Sequence, residues 1–280
     1  MNKRLVYLSS LVIWVLLSVL ILFWSKPQNN LEVDFLDVGQ GDSILIKTPY
    51  GQKILIDGGP SKTSVLRELA KNLPSFDRDV DLVILTHPHE DHLAGLLGVL
   101  ERYQVKNIIY GSGSSTSALG ESWNQATLQE GAVLKKIGPE EKIILGDGCF
   151  LEIVNPSLFY RSRDLNDYSL VSKLDCGESW LFTGDISAGA EKGLLASGFN
   201  LAADVLKVSH HGSAAANSEA FLRAVNPRTA VISAGAGNSY GLPSPEILRR
   251  LGNFGFKIIR TDLVGDIKMR FDASAQLLGP

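Results

Sequence analysis

An almost unbroken apolar run occupies residues 5 to 24. About 20 apolar residues suffice to span a bilayer as one helix. Lys3 and Arg4 precede the run, and Lys26 and the polar stretch Pro27-Gln28-Asn29-Asn30 follow it. That charge bias puts the N-terminus in the cytoplasm and the remainder outside. A cleaved signal peptide is the alternative. Its apolar core is usually shorter, and no small-residue cleavage site follows Trp24. We read an uncleaved membrane anchor and linker over 1–29 and one domain over 30–280; cleavage would make that domain secreted.

Past residue 30 the pattern shortens and alternates. Period two over 31–38 predicts a strand with one buried face, and Gly39-Gln40-Gly41-Asp42 reads as a turn. Residues 43–47 and 53–56 read as a hairpin around Pro49-Tyr50-Gly51, ending in Asp57-Gly58-Gly59. Val65, Leu66, Leu69 and Leu73 mark a helix over 63–72. The apolar run 81–85 reads as a buried strand, and Leu93, Leu96, Leu97 and Leu100 as the inner stripe of the helix after it. A strand over 105–110, a Gly/Ser loop over 111–120 and a helix near 123–129 complete the first half. That loop is either a lid or an inert surface loop.

The second half repeats the order, strands first and then helices. Strands are predicted over 133–137, 142–145, 149–155, 169–174 and 179–183, with a polar connection over 157–168. A helix over 188–196, a strand over 204–209, a helix capped by Asn217, a strand over 230–233, a helix opened by Ser244-Pro245, and strands over 257–260 and 266–271 follow. No internal repeat shows by period. The order suits an α+β fold of two sheets packed face to face with helices outside.

Composition narrows this little. Apolar residues make up 45% and charged residues 20%, ordinary for a globular protein. The net charge is −3, and a mildly acidic domain lacks the electrostatic footprint of a nucleic-acid binder. Arg249, Arg250, Lys257 and Arg260 are candidates for a local basic patch, with a solvated surface as the simpler reading. The two cysteines, Cys149 and Cys176, lack zinc-finger spacing. If their strands are antiparallel neighbours they meet as a disulfide; otherwise they are two buried thiols.

The chemistry concentrates at strand ends. Three of the five histidines fall in Thr86-His87-Pro88-His89-Glu90-Asp91-His92, and the other two are His210-His211. Imidazole and carboxylate are the ligand types that first-row divalent metals prefer. On a strand-to-helix turn His87 and His89 reach one cation, while Asp91 and His92 reach a second. Asp185, after another strand, can bridge them. Paired metals lower the pKa of a shared water and stabilise charge on an attacked phosphoryl or carbonyl oxygen.

The run His87 to His92 resembles the signature of the metallo-β-lactamase superfamily, and Leu55-Ile56-Asp57-Gly58-Gly59 and Phe182-Thr183-Gly184-Asp185 match in order. The finer resemblance is to the C-terminal domain of the ComEC DNA-uptake proteins. It is carried by Asp37-Val38-Gly39-Gln40-Gly41-Asp42, Asn166-Asp167-Tyr168-Ser169-Leu170-Val171, His210-His211-Gly212-Ser213 and Asn238-Ser239-Tyr240-Gly241. It covers about residues 31–271 and implies an αββα sandwich with a metal site at the shared edge of its sheets. It also implies a hydrolase, in this group a proposed nuclease or phosphodiesterase using one or two divalent ions, zinc or manganese.

Carried over by residue, His87 and His89 hold metal 1, Asp91, His92 and His211 hold metal 2, and Asp185 bridges. Asp91 and His210 are the catalytic candidates. The sequence does not order His210 and His211, and the former is placed beside metal or substrate. Asp37 orients a ligand histidine or is a turn residue. Asp57, Asn166, Ser213, Asn238 and Tyr240 are further supporting or substrate-contacting candidates.

Two departures stand out. The superfamily's further metal 1 histidine is missing, and Asn166 or Asp167 is the oxygen that could replace it. Leu242 also stands where histidine usually follows the tyrosine-glycine pair. One span cannot form the many-span portion of the ComEC proteins, so a stand-alone relative tethered at the outer face is implied. The expected partners are the membrane, through residues 5–24, and DNA or another phosphodiester. A small-ester hydrolase acting on phosphorylcholine esters or lactones, and a non-catalytic metal-stabilised module of a surface or competence assembly, are the alternatives.

Overall fold

The alternating pattern after residue 30 folds as antiparallel strands β1 (Asn30–Phe35), β2 (Ile44–Lys47) and β3 (Lys53–Ile56). In β3, Ile54 and Ile56 face the second sheet while Leu55 faces the helices, as the period of two requires. This computed structural model describes residues 30–111, 116–156, 162 and 164–272, with Tyr7, Ser10 and 12–18. The expected anchor over 5–24 lies largely outside the described residues, as do parts of the 111–120 loop and the 157–168 connection. Among the described residues no helix is long and apolar enough to cross a membrane.

Helix α1 (Lys62–Asn72), capped by Ser61, leads to β4 (Asp79–Leu85), α2 (Glu90–Arg102), β5 (Gln104–Tyr110), α3 (Ala118–Glu130) and β6 (Val133–Lys136). The second half runs β7 (Lys142–Gly146), β8 (Cys149–Asn155), a 3-10 turn (Leu165–Tyr168), β9 (Val171–Asp175), β10 (Ser179–Phe182) and α4 (Ala188–Ser197). Then come β11 (Val205–Lys207), a second 3-10 turn (Ser209–Gly212), α5 (Glu219–Val225), β12 (Thr229–Ile232), α6 (Pro245–Asn253), β13 (Lys257–Arg260), a short α7 (Thr261–Val264) and β14 (Ile267–Asp272).

The strands form two seven-stranded sheets, β14-β1-β2-β3-β4-β5-β6 and β13-β12-β11-β10-β9-β8-β7. Each is antiparallel over one half and parallel over the other. The core between them includes Phe35, Trp180 and Phe182, whose ring centroids lie 6.3–6.5 Å apart. Outer clusters pack α1 and α2 on the first sheet, and α4, α5 and α6 on the second. This is the expected αββα sandwich. Fully burying each Leu, Ile or Phe adds roughly 1.5–3 kcal/mol.

Two local readings change, and the cysteines resolve to one of their two alternatives. Ser218, not Asn217, caps α5, because its side chain accepts from Phe221 N. Asn217 instead grips the backbone of Ser209. The helix α7 was not predicted. Cys149 and Cys176 form a disulfide, since Phe150 pairs with Asp175 and brings the flanking residues together. Their separation of 27 residues corresponds to roughly 2–4 kcal/mol of stabilisation.

One contact sets the angle of α2. A Cβ on Gly95 would lie 1.8 Å from Gly58 O, and one on Gly58 would lie 2.4 Å from Leu96 N. Only glycine permits backbone this close to backbone. Gly95→Ala is expected to lower the unfolding free energy by about 3 kcal/mol, the upper end for overpacking, measured by denaturant titration. An unchanged midpoint would refute this account of the contact.

Candidate metal centre

The rim is built from strand ends, where a side chain is held by the sheet yet open at its edge. β3 delivers Asp57, β4 delivers residues 86–89, β10 delivers Asp185 and β11 delivers His210 and His211. Backbone bonds join these ends: Asp57 N to Ile84 O at 2.9 Å, Gly58 N to His92 O at 2.7 Å, Asp42 N to Asp91 O at 3.2 Å and Leu170 N to Thr86 O at 3.0 Å. His89 caps α2 through its backbone only, so its imidazole is not used as a cap.

Asp57 is fully buried. It accepts from Thr86 N at 2.8 Å, from Thr86 Oγ1 at 2.6 Å and from His92 Nδ1 at 2.7 Å. Thr86 Oγ1 spends its proton on Asp57, so it accepts at 3.0 Å from His87 Nδ1. His211 Nδ1 donates to Ser233 O at 3.0 Å. With Nδ1 hydrogen-bonded on all three rings, each imidazole in its neutral form keeps its lone pair on Nε2, the form a metal requires.

Two of these Nε2 atoms converge with two carboxylates. His92 Nε2 and His211 Nε2 each lie 3.3 Å from Asp185 Oδ2. Asp91 Oδ2 is 3.3 Å from His211 Nε2, and Asp91 Oδ1 is 3.9 Å from His92 Nε2. His92 Nε2, His211 Nε2 and Asp185 Oδ1 are buried without a hydrogen-bond partner. Ligand atoms about 2.0–2.1 Å from one tetrahedral ion sit roughly 3.3 Å apart. Asp91, His92, Asp185 and His211 therefore fit a divalent cation.

His87 Nε2 and His89 Nδ1 face each other at 3.1 Å. Among the described residues no third His, Asp, Glu or Cys joins this pair in a candidate group. Asn166 Oδ1 is buried and unpartnered in the turn before Ser169, whose Oγ accepts from Asp185 N at 3.1 Å.

The structure separates the two adjacent histidines. His211 is buried within the ligand group, whereas His210 is half-exposed with Nε2 4.0 Å from Asp185 Oδ2. Both adopt left-handed backbone, φ 51° and 52°, a conformation that costs about 1–3 kcal/mol per residue. Asn217 clasps this turn, accepting from Ser209 N at 2.9 Å and donating to Ser209 O at 3.0 Å. Glu191 in turn accepts from Asn217 N and, at 2.9 Å, from Ser218 N.

Other candidates fall elsewhere. Asp37 is the turn residue of its two readings: Oδ1 accepts from Gly39 N at 3.3 Å, and the carboxylates behind the imidazoles are those of Asp57 and Asp42. Asn238 braces its own loop through Gly235 O and Leu242 O, and Ser213 accepts from Ala215 N. Tyr240 is exposed and shares with His210, Asp91, Glu90 and Leu242 a cleft of ≈ 420 Å³ beside the ligands.

Sequence reasoning missed two residues. Asp42, read as part of a turn, is buried with Oδ1 3.5 Å from His211 Nδ1. Lys207 is 1% exposed; it forms an ion pair with Asp42, donates to Gly184 O at 3.0 Å and lies 3.6 Å from Asp185 Oδ1. Burial favours a neutral Lys207, but Asp42 and Asp185 outweigh it and raise its pKa. Burial likewise opposes ionisation of Asp42, yet Lys207 and His211 bring its pKa down to about 2.

Fold and site together define a class. Residues 36–160 match the sequence profile of the metallo-beta-lactamase superfamily, and this stretch is a domain of that superfamily. It is 30% identical to ComE operon protein 3 of Bacillus subtilis (strain 168) over 86% of this chain and 33% of that protein. It is 30% identical to Competence protein ComA of Neisseria gonorrhoeae over 86% of this chain and 32% of that one. The chain thus spans about a third of these relatives' length. Among solved structures it resembles CmlA, a diiron beta-hydroxylase from Streptomyces venezuelae. The TM-score is 0.55 at 15% identity, covering 88% of this chain and 55% of that one. A diphosphatase of the PhnP family gives a TM-score of 0.50 at 15% identity, covering 86% and 98%.

The metal-free centre has a definite pH response. Burial opposes protonation of His92 and His211, but Asp185 and Asp57 for the former, and Asp185 and Asp42 for the latter, raise both well above the ordinary value. A raised folded pKa stabilises fully below the unfolded value of about 6.5 and loses that contribution as pH rises through the folded value. The metal-free melting temperature should therefore fall from about pH 6.5 to about pH 9. The increment added by a divalent metal should grow over the same interval, because ligating imidazoles must be neutral. Calorimetry at both pH values checks this; a metal-free melting temperature that rises would contradict it.

Proposed function

We propose that this chain is a metal-dependent phosphodiesterase acting outside the cytoplasm, with DNA as the first substrate to test. The observation that carries the reading is the convergence of Asp91, His92, Asp185 and His211, with Nε2 of both imidazoles buried and without a hydrogen bond. The competence names of the relatives and the resemblance to the ComEC DNA-uptake proteins support DNA. The Cys149–Cys176 disulfide supports an oxidising compartment, and the apolar run over 5–24 supports a membrane tether there.

In this reading Asp91, His92, Asp185 and His211 hold one zinc or manganese ion. His87 and His89, with Asn166 as a further oxygen donor, would hold a second. When bound, such ions lower the pKa of a water and draw charge from the attacked phosphorus centre. The protein's own groups do the rest. Asp57, Thr86 and Ser233 O fix the tautomers of three imidazoles. Burial, against the pull of Asp185, lowers the pKa of His210, so at neutral pH an uncharged imidazole stands at the cleft wall. Asp91 projects into the same cleft.

One observation favours a second reading, a small ester or phosphoester. Among the described residues, none of the side chains lining the cleft is lysine or arginine, so a polyanion would be met by those residues without a cationic side chain. DNA binding that weakens steeply with salt supports the first reading, and salt-independent turnover confined to small esters supports the second.

His89→Ala and Asp185→Asn should each lower metal-dependent cleavage of bis-p-nitrophenyl phosphate by at least about a hundredfold in kcat. Chelation should abolish cleavage, and added Mn2+ or Zn2+ should restore it. Activity that survives both substitutions would sink the assignment.

A further inference from the structure

A lysine with its ammonium out of water is rare unless it is paired. Lys207 is buried at the back of the ligand group, on the face of β11 that looks toward the first sheet, as does Val205. Its Nζ pairs with Asp42 Oδ2, lies 3.6 Å from the ligand carboxylate Asp185 and bonds Gly184 O, next to that ligand. Asp42 in turn stands behind both ligand imidazoles, 3.5 Å from His211 Nδ1 and 3.9 Å from His92 Nδ1. Asp42, Asp57 and His92 form a second buried group spaced like metal ligands, but Asp42 already has its cation in Lys207.

We propose that Lys207 is a built-in countercation that shares its carboxylates with the divalent ion. It keeps the rim assembled while the ion is away and weakens the ion's hold when the ion is present. Asp42, Asp57 and Asp185 are buried and Asp91 is partly so, a concentration of negative charge that Lys207 offsets whatever the protonation of the two imidazoles. A positive charge fixed 3.6 Å from Asp185 repels a divalent ion bound to that carboxylate, because charges in a dry site are poorly screened. Lys207 is thus a positioning residue that sets metal affinity, and the inference rests on the reading of Asp91, His92, Asp185 and His211 as metal ligands.

The test measures Mn2+ and Co2+ binding by calorimetry on the metal-stripped full chain in detergent, with melting temperatures alongside. Lys207→Met should bind Mn2+ at least about tenfold more tightly than the unsubstituted chain. It should also melt lower without metal and gain more on metal addition. Lys207→Arg should stay near the starting values. Should K207M not fold without metal, Asp42→Asn and the double variant D42N/K207M decide. D42N alone keeps the lysine charge and should lose about tenfold in affinity. The double variant removes both charges and should return to within about threefold. Equal or weaker Mn2+ binding by K207M, or a double variant no tighter than D42N, would overturn the proposal. A starting chain that binds neither Mn2+ nor Co2+ would instead refute the metal-centre reading itself.

Discussion

Carboxylates gathered where water is excluded are the constraint behind this rim. Asp42, Asp57 and Asp185 are buried within reach of one another's partners, and an ion taken from water costs several kcal/mol unless it is compensated. The compensation is specific at each. Asp57 accepts from a backbone N–H, a hydroxyl and an imidazole. Asp42 holds Lys207. Asp185 has Oδ1 3.6 Å from the Lys207 ammonium and Oδ2 facing two imidazoles whose Nε2 atoms have no hydrogen bond. A cation at that point completes a set that hydrogen bonds alone leave open.

Placing these groups requires two sheets at fixed separation. Aromatic packing of Phe35 against Trp180 and Phe182 sets it within the core. The close approach of Gly58 and Gly95 sets how far α2 presses onto the 57–59 turn, and hence where His92 meets Asp57. The left-handed turn at His210 and His211 is the strained part. Asn217 and Glu191, from the loop and helix behind it, over-determine that turn and hold it.

Much of this was legible in the residues. Period-two runs located the strands, and clustered histidines after an apolar run located the centre, because both signals are local. What was not legible was long-range. Asp37 and Asp42 sit in one turn, and only the fold shows that the second reaches the imidazoles. Asn217 looked like a helix cap because asparagine before an apolar stripe usually is one; Ser218 took that role and freed the amide for Ser209. Lys207 did leave a signal. A lysine between Leu206 and Val208, in a strand flanked by parallel neighbours on both sides, has no solvent face to occupy. It had to point inward and find acid there.

The pairing of β14 with β1 carries a consequence for how the molecule comes into being. Asp91 and His92 belong to the first sheet's half of the chain, and Asp185 and His211 to the second. Asp266, just before β14, accepts from Asp37 N at the foot of the first loop. During synthesis the early strands therefore leave the ribosome with one edge unfilled and half of the candidate ligand group. The first sheet is closed only when the last strand docks onto one made more than two hundred residues before it.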